Sequence, residues 1–181
     1  MAFLQTTVNV NLHRLKRFQS ALDADLRKSA NGPVREAFNQ WKIRYAAFLR
    51  RRYERFSRGA GNWPKLAAST LEYKKRNRLL MWILRATDTL YRALEPIASS
   101  KPGYVNQDIE FGIRVGFGGG MKYPHSTEGS VTIAQVASYH QKGGRHLPQR
   151  KIIVPPDTET VGLMREDMQK ALRTMAREAN G

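Results

Sequence analysis

Apolar positions along the chain follow two periods. Leu12, Leu15, Phe18, Leu22 and Leu26 recur at three and four residues, which places them on one helical face and predicts a helix from about Leu12 to Ser29. The preceding Thr6–Asn11 alternates weakly, as a short strand does. Asn31-Gly32-Pro33 breaks the first helix, and the proline, with its fixed φ, opens a second. That second helix carries Val34, Phe38, Trp41, Tyr45, Phe48 and Leu49 as a buried aromatic stripe until Arg58-Gly59-Ala60-Gly61 ends it. At this spacing the aromatics read as core rather than as a cofactor box. Trp63-Pro64 is extended, and Thr70 caps a predicted third helix holding Leu71, Leu79, Leu80, Ile83, Leu84, Leu90 and Leu94, closed by Pro96 and the 98–103 stretch.

From Tyr104 the period shortens to two. Ile109, Phe111, Ile113, Val115 and Phe117 point one way and Glu110, Gly112, Arg114 and Gly116 the other, which predicts a strand. Gly118-Gly119-Gly120 through Ser130 reads as a long hairpin or surface loop. Val131–Gln141 predicts a short helix and Ile152-Ile153-Val154 a short strand stopped by Pro155-Pro156. Asp157 or Thr158 caps a last helix to about Ala179, with Val161, Met164, Met168, Leu172 and Met175 inward. No internal repeat is present. The expected class is therefore α+β: three long helices packed on a small antiparallel sheet built from Ile109–Phe117 and Ile152–Val154, with a long glycine-rich hairpin loop.

At 181 residues the chain suits a single domain. Within 1–181, residues 12–58 form an N-terminal helical pair, 59–155 an α+β part and 156–181 a C-terminal helix. The absence of cysteine removes disulfides, thiolate zinc sites, iron–sulfur clusters and a cysteine nucleophile. No apolar run reaches the roughly 18–20 residues of a membrane span, and Met1–Leu12 lacks a secretory pattern, so a soluble, unexported protein is expected.

Charge changes the picture most. The net charge is +16, which calls for an anionic partner: nucleic acid, a membrane surface or an acidic protein face. Residues 1–100 hold 20 basic and 7 acidic side chains, and residues 101–181 hold 11 and 8. The density peaks between residues 42 and 85, where 13 Lys/Arg face only Glu54 and Glu72. On the second helix Arg44, Arg51, Arg55 and Arg58 share a face, and with Arg50, Arg52, Lys74, Lys75, Arg76 and Arg78 they form a candidate ridge for phosphates or for a neighbouring subunit's carboxylates.

Catalytic chemistry is not evident. His13, His125, His140 and His146 lack the helical spacing with glutamate of a zinc protease, although His140 and His146 could share a metal on a glycine loop. The Gly116–Gly120 run is not followed by Lys-Ser/Thr and sits in a strand-to-loop context, unlike a phosphate loop. Neither a nucleophile elbow nor a paired acidic site occurs. No enzyme, cofactor or metal site is expected.

Three blocks carry a resemblance. Gly61-Asn62-Trp63-Pro64-Lys65-Leu66 leads to Thr70 with Lys74 or Lys75 following; then come Leu84, Thr87 and Leu90; then His140-Gln141-Lys142-Gly143 with Leu147-Pro148-Gln149-Arg150. In order and spacing these resemble the phage virion morphogenesis family, also called tail completion proteins, of the phage Mu G type, over roughly residues 1–155. The chain departs from that pattern at Thr87-Asp88, where the family usually has Thr-Gly, and in a longer Gly118–Ser130 loop.

The resemblance implies a structural virion protein that completes the tail and joins it to the head connector as an oligomeric ring in the neck, around the DNA channel. It implies a homo-oligomer, expected as a hexamer, with connector or adaptor proteins and a tail terminator as partners and assembly in the host cytoplasm. Trp63 is then expected in the core, Pro64 as a rigid turn, Arg150 as a salt-bridging residue and the Gly118–Ser130 loop as an arm to an adjacent ring. The alternative class is a nucleic-acid-binding module using the basic ridge.

Overall fold

The computed structural model describes residues 12–27, 31–95, 104–109, 112–118, 122–123 and 131–179. The regular elements are α1 (Leu12–Leu26), α2 (Pro33–Ser57), α3 (Ala68–Arg76), α4 (Thr89–Arg92), β1 (Tyr104–Ile109), β2 (Gly112–Phe117), α5 (Ile133–Lys142) and α6 (Thr158–Glu178).

α2 is the spine. Near its start, Val34, Ala37 and Phe38 bury against Ala171 and Met175 of α6, with Phe18, Leu22 and Leu26 of α1 alongside. Toward its end, Phe48, Leu49, Tyr53 and Phe56 join Trp63, Ile83, Leu90, Leu94, Ile133 and Ile152 in a second cluster. Polar ties fix α6 on α2. Trp41 Nε1 donates to the Met164 carbonyl at 2.8 Å, and Arg44 grips Asp167 through two bonds of 2.6 and 3.0 Å. The neighbouring carboxylate raises the pKa of Arg44.

The start of α2 explains why Gly32-Pro33 works as a junction. Proline fills a position whose N–H would have no helical partner. The buried Asp25 carboxylate, reaching from α1, accepts from the Val34 and Arg35 N–H groups at 2.6 and 3.4 Å. A side chain at position 32 would collide with that carboxylate, so glycine is required by close approach. α6 starts at the expected Asp157 cap, which accepts from Thr160 N at 2.9 Å, and α5 starts at Ile133 on a capping box formed by Thr132 and Gln135.

The expected α+β class is corrected. The chain is mostly helical, and among the described residues no sheet lies beneath the helices. Among the described residues the strands form one antiparallel hairpin, in which β1 pairs with β2, Tyr104 opposite Phe117 and Ile109 opposite Gly112, with isolated bridges only at Lys122–Thr132 and Gly144–Leu147. In place of the single strand expected up to Phe117 there are two, β1 and β2, paired antiparallel. Ile152–Val154 is not a strand. Its backbone is served instead by one side chain, with Gln141 Oε1 accepting from Ile152 N and Ile153 N at 2.8 and 3.0 Å and Gln141 Nε2 donating to Ile153 O at 2.7 Å. An amide group on α5 thus takes the place of a neighbouring strand for this segment.

The third long helix is also corrected. α3 stops at Arg76 and only the four-residue α4 follows. Between them Arg78, Leu84 and Asp88 adopt φ of 52°, 56° and 57°, left-handed values that end a helix. Tertiary bonds reward the irregular path: Lys74 Nζ donates to the Leu80 and Trp82 carbonyls at 2.8 and 2.5 Å, Ile83 N to Ser57 O at 2.9 Å, and the Tyr53 hydroxyl to Leu84 O at 2.7 Å. Thr6–Asn11 and most of the Gly118–Ser130 loop lie outside the described residues.

Replacing Asp25 with Ala leaves the two α2 N–H groups unsatisfied in a buried place. The expected loss is about 1–2 kcal/mol by urea unfolding, with Asp25→Asn losing less. Equal stability of Asp25→Ala and the parent would contradict the cross-helix cap.

Candidate functional site

Two surfaces collect the residues singled out from the sequence. The first is the basic face of α2. The structure engages several of its cations internally. Arg44 is tied to Asp167, and Arg50 lies 4.9 Å from the Tyr91 ring centroid with Nη2 3.3 Å from the Tyr91 hydroxyl. Arg52 covers the Phe56 ring at 4.2 Å and donates to Lys151 O at 2.6 Å. Arg58 pairs with Glu54 at 2.5 Å and sits over Trp82 at 4.6 Å. Guanidinium groups suit these places because they stack on aromatic faces and donate sideways. Arg51 and Arg55 remain exposed, and with Arg52, Phe48, Pro155 and Asp157 they line an open cavity of about 550 Å³. Burial and the nearby Arg55 lower the Arg52 pKa.

α3 carries the rest of the expected ridge on different terms. Lys75, Arg76 and Arg78 are exposed, whereas Lys74 is buried with its ammonium turned onto carbonyls. Large apolar groups stand beside them in the open: Leu71, Tyr73, Leu80 and Met81 are 37%, 61%, 44% and 45% exposed.

The second surface is a pocket of about 380 Å³ on which the three sequence blocks converge. Leu66, Thr70 and Lys74 come from the first block and α3, Leu84 and Leu90 from the second, and His140, Pro148 and Arg150 from the third. The blocks are also joined directly. Arg150 donates through Nη2 and Nε to the Pro64 carbonyl at 3.0 and 3.3 Å, and its N–H bonds His140 O at 2.7 Å. It meets no carboxylate among the described residues, so of the salt bridge expected between elements or subunits the one between elements is not formed there. Trp63 is buried edge-on against Tyr53 and Phe56, with ring centroids at 5.2 and 5.6 Å, as expected for a core residue.

The motif glycines have steric reasons. A side chain at Gly61 would enter the Phe56 ring, and Gly143 combines a φ of 72° with a place where a Cβ would lie only 2.9 Å from Gln149 N. Thr87 and Thr89 hydroxyls bond at 2.9 Å. Asp88 holds its left-handed φ while Arg85 grips its carboxylate at 2.6 and 2.8 Å. That bond keeps the Asp88 carboxyl below its ordinary pKa.

The structure brings His140 and His146 to the same pocket, but no group of three or more His, Cys, Asp or Glu able to hold a metal occurs among the described residues. The sequence did not reveal the environment of Lys74, which looked like one more ridge cation. Its only hint was the apolar company of Leu71 and Leu79. Burial lowers the pKa of Lys74, aided by Arg150, and burial likewise lowers that of Arg150. His140 is pushed down to about 4 by burial and by the Arg150 charge.

Compared with known proteins, the chain matches no family model, no curated protein and no solved structure. No helix among the described residues is long and apolar enough to cross a membrane.

The depressed His140 pKa has a sign that can be checked. Folded His140 stays neutral where the unfolded imidazole, with its ordinary value of 6.5, takes up a proton. Its contribution to stability is full above about pH 6.5 and is lost as pH falls toward 4. Urea midpoints at pH 7.5 and 4.5 are expected to differ less in His140→Gln than in the parent; an unchanged difference would contradict the assignment.

Proposed function

We propose that this chain is a structural virion protein of a tailed phage, assembling as an oligomeric ring in the neck that completes the tail and joins it to the head connector around the DNA channel. The observation that carries the reading is the convergence of the three motif blocks. Segments spaced along the chain close on one another through Arg150, the Pro64 and Lys65 carbonyls and the shared pocket. The left-handed backbone at Asp88, where the family pattern has glycine, also supports it.

A protein partner fits the surface better than nucleic acid does. Sequence-independent phosphate binding needs many free cations along one track. Arg44, Arg50, Arg52 and Arg58 are instead spent within the fold. The exposed Leu71, Tyr73, Leu80 and Met81 offer apolar area flanked by Lys75, Arg76 and Arg78, the composition of a subunit contact with a charged rim. The remaining positive charge matches acidic faces on the connector side or the DNA passing through.

Light scattering at low and high salt, with and without short duplex DNA, separates the readings. A ring of defined mass that resists salt and forms without DNA is expected, and Leu80→Asp with Met81→Asp is expected to reduce it to monomers that still fold. A monomer that binds DNA only at low salt, with affinity lost in Arg51→Glu/Arg55→Glu, would replace this reading with the nucleic-acid module.

A further inference from the structure

The pocket shared by α3, the 79–90 segment and residues 147–150 has one cationic wall and one apolar wall. Lys74 and Arg150 are each only 4% exposed. Both use neutral acceptors: Lys74 Nζ spends two of its three N–H groups on the Leu80 and Trp82 carbonyls, and Arg150 spends Nε and Nη2 on those of Pro64 and Lys65. One ammonium N–H and the Nη1 group are left over. His140 adds a buried Nδ1 with no hydrogen-bond partner. Carbonyl oxygens satisfy donors but cancel no formal charge, and none of the described residues lining the pocket is acidic. Two nearly buried cations and an unpaired ring nitrogen therefore share a space without an anion.

The rest of the lining specifies what the anion is attached to. Leu66, Leu84, Leu90, Val136 and Leu147 present aliphatic surface, and about 380 Å³ is more room than a bare oxyanion fills. A strongly hydrated phosphate gains nothing from that wall. We propose that this pocket binds a carboxylate borne on an apolar body, the carboxylate against Lys74, Arg150 and His140 and the body against the leucines. Neutral His140 donates from Nδ1, and the spare N–H groups of Lys74 and Arg150 supply charge-assisted bonds. The chemistry is shared by a small aliphatic acid and by a chain terminus ending in an apolar residue. The proposal does not rest on the assembly reading.

The test is titration of the full chain, followed by its leucine and valine methyl NMR signals, with hexanoate, hexanamide, inorganic phosphate and acetyl-glycyl-leucine. Saturable shifts at Leu84, Leu90 and Val136 are expected with hexanoate, with hexanamide weaker by about tenfold or more, the worth of one charge-assisted hydrogen bond. Tighter binding of acetyl-glycyl-leucine than of hexanoate would identify a chain terminus as the natural occupant, and the reverse a free acid; either supports the site. Lys74→Met is expected to weaken hexanoate about tenfold. Should that variant fail to fold, Ala86→Phe, which fills the pocket without touching the cations, is expected to abolish the shifts. Equal binding of hexanamide, binding of phosphate as tight as hexanoate, no saturable shift at all, or unchanged hexanoate binding in a folded variant would each overturn the proposal.

Discussion

A helix as basic as α2 can be buried along its length only if its guanidinium groups find partners as the helix packs, because a desolvated and unpaired charge costs far more than an apolar contact returns. The architecture follows from how that constraint is met. Arg44 takes the Asp167 carboxylate on α6, while Arg50, Arg52 and Arg58 lie on the faces of Tyr91, Phe56 and Trp82. Aromatic residues thus serve twice, filling the core with one face and receiving a cation on another. The same helix can then support two hydrophobic clusters, one at each end, without a run of buried charge between them.

The irregular segments obey a related rule. Residues 77–88 and 147–154 have few backbone partners, yet they run against the core and their carbonyls must be satisfied. Side chains from the helices do this work: Tyr53 for Leu84, Lys74 for Leu80 and Trp82, Tyr45 for Val154, Arg52 for Lys151, and Gln141 for Ile153. Cations that bond carbonyls keep their formal charge. A net +16 is consequently left over for something outside the chain, whether an acidic face of a neighbouring subunit, DNA in a channel, or the carboxylate of a ligand.

Legibility in the sequence divides along the same line. α2 and α6 are legible because each carries its own start signal and an unbroken helical period, Gly32-Pro33 and Asp157, and α5 is legible from its period alone. The break after Arg76 is not, since no glycine or proline marks Arg78, Leu84 or Asp88, and the turn exists because Tyr53 and Lys74 hold carbonyls far from the helix that propensity favours. Ile152–Val154 looked like a strand for good local reasons, but strand pairing was supplied by an amide side chain that no period reveals. The alternation over 104–117 marks β structure but hides its division into β1 and β2, because the apolar period in the sequence runs on unbroken from one to the other. For the candidate site, the residues of the three blocks were legible one by one. Their meeting around a pocket, with Lys74 turned inward rather than along the ridge, is a tertiary fact.

The central claim is that the exposed α3 and the turn after it carry assembly, while most α2 arginines serve the fold. Amide hydrogen exchange across a protein concentration series, with and without duplex DNA, tests it most directly. The account predicts protection of residues 68–82 that rises with protein concentration and is indifferent to DNA. Protection confined to residues 50–58 and appearing only with DNA would contradict it.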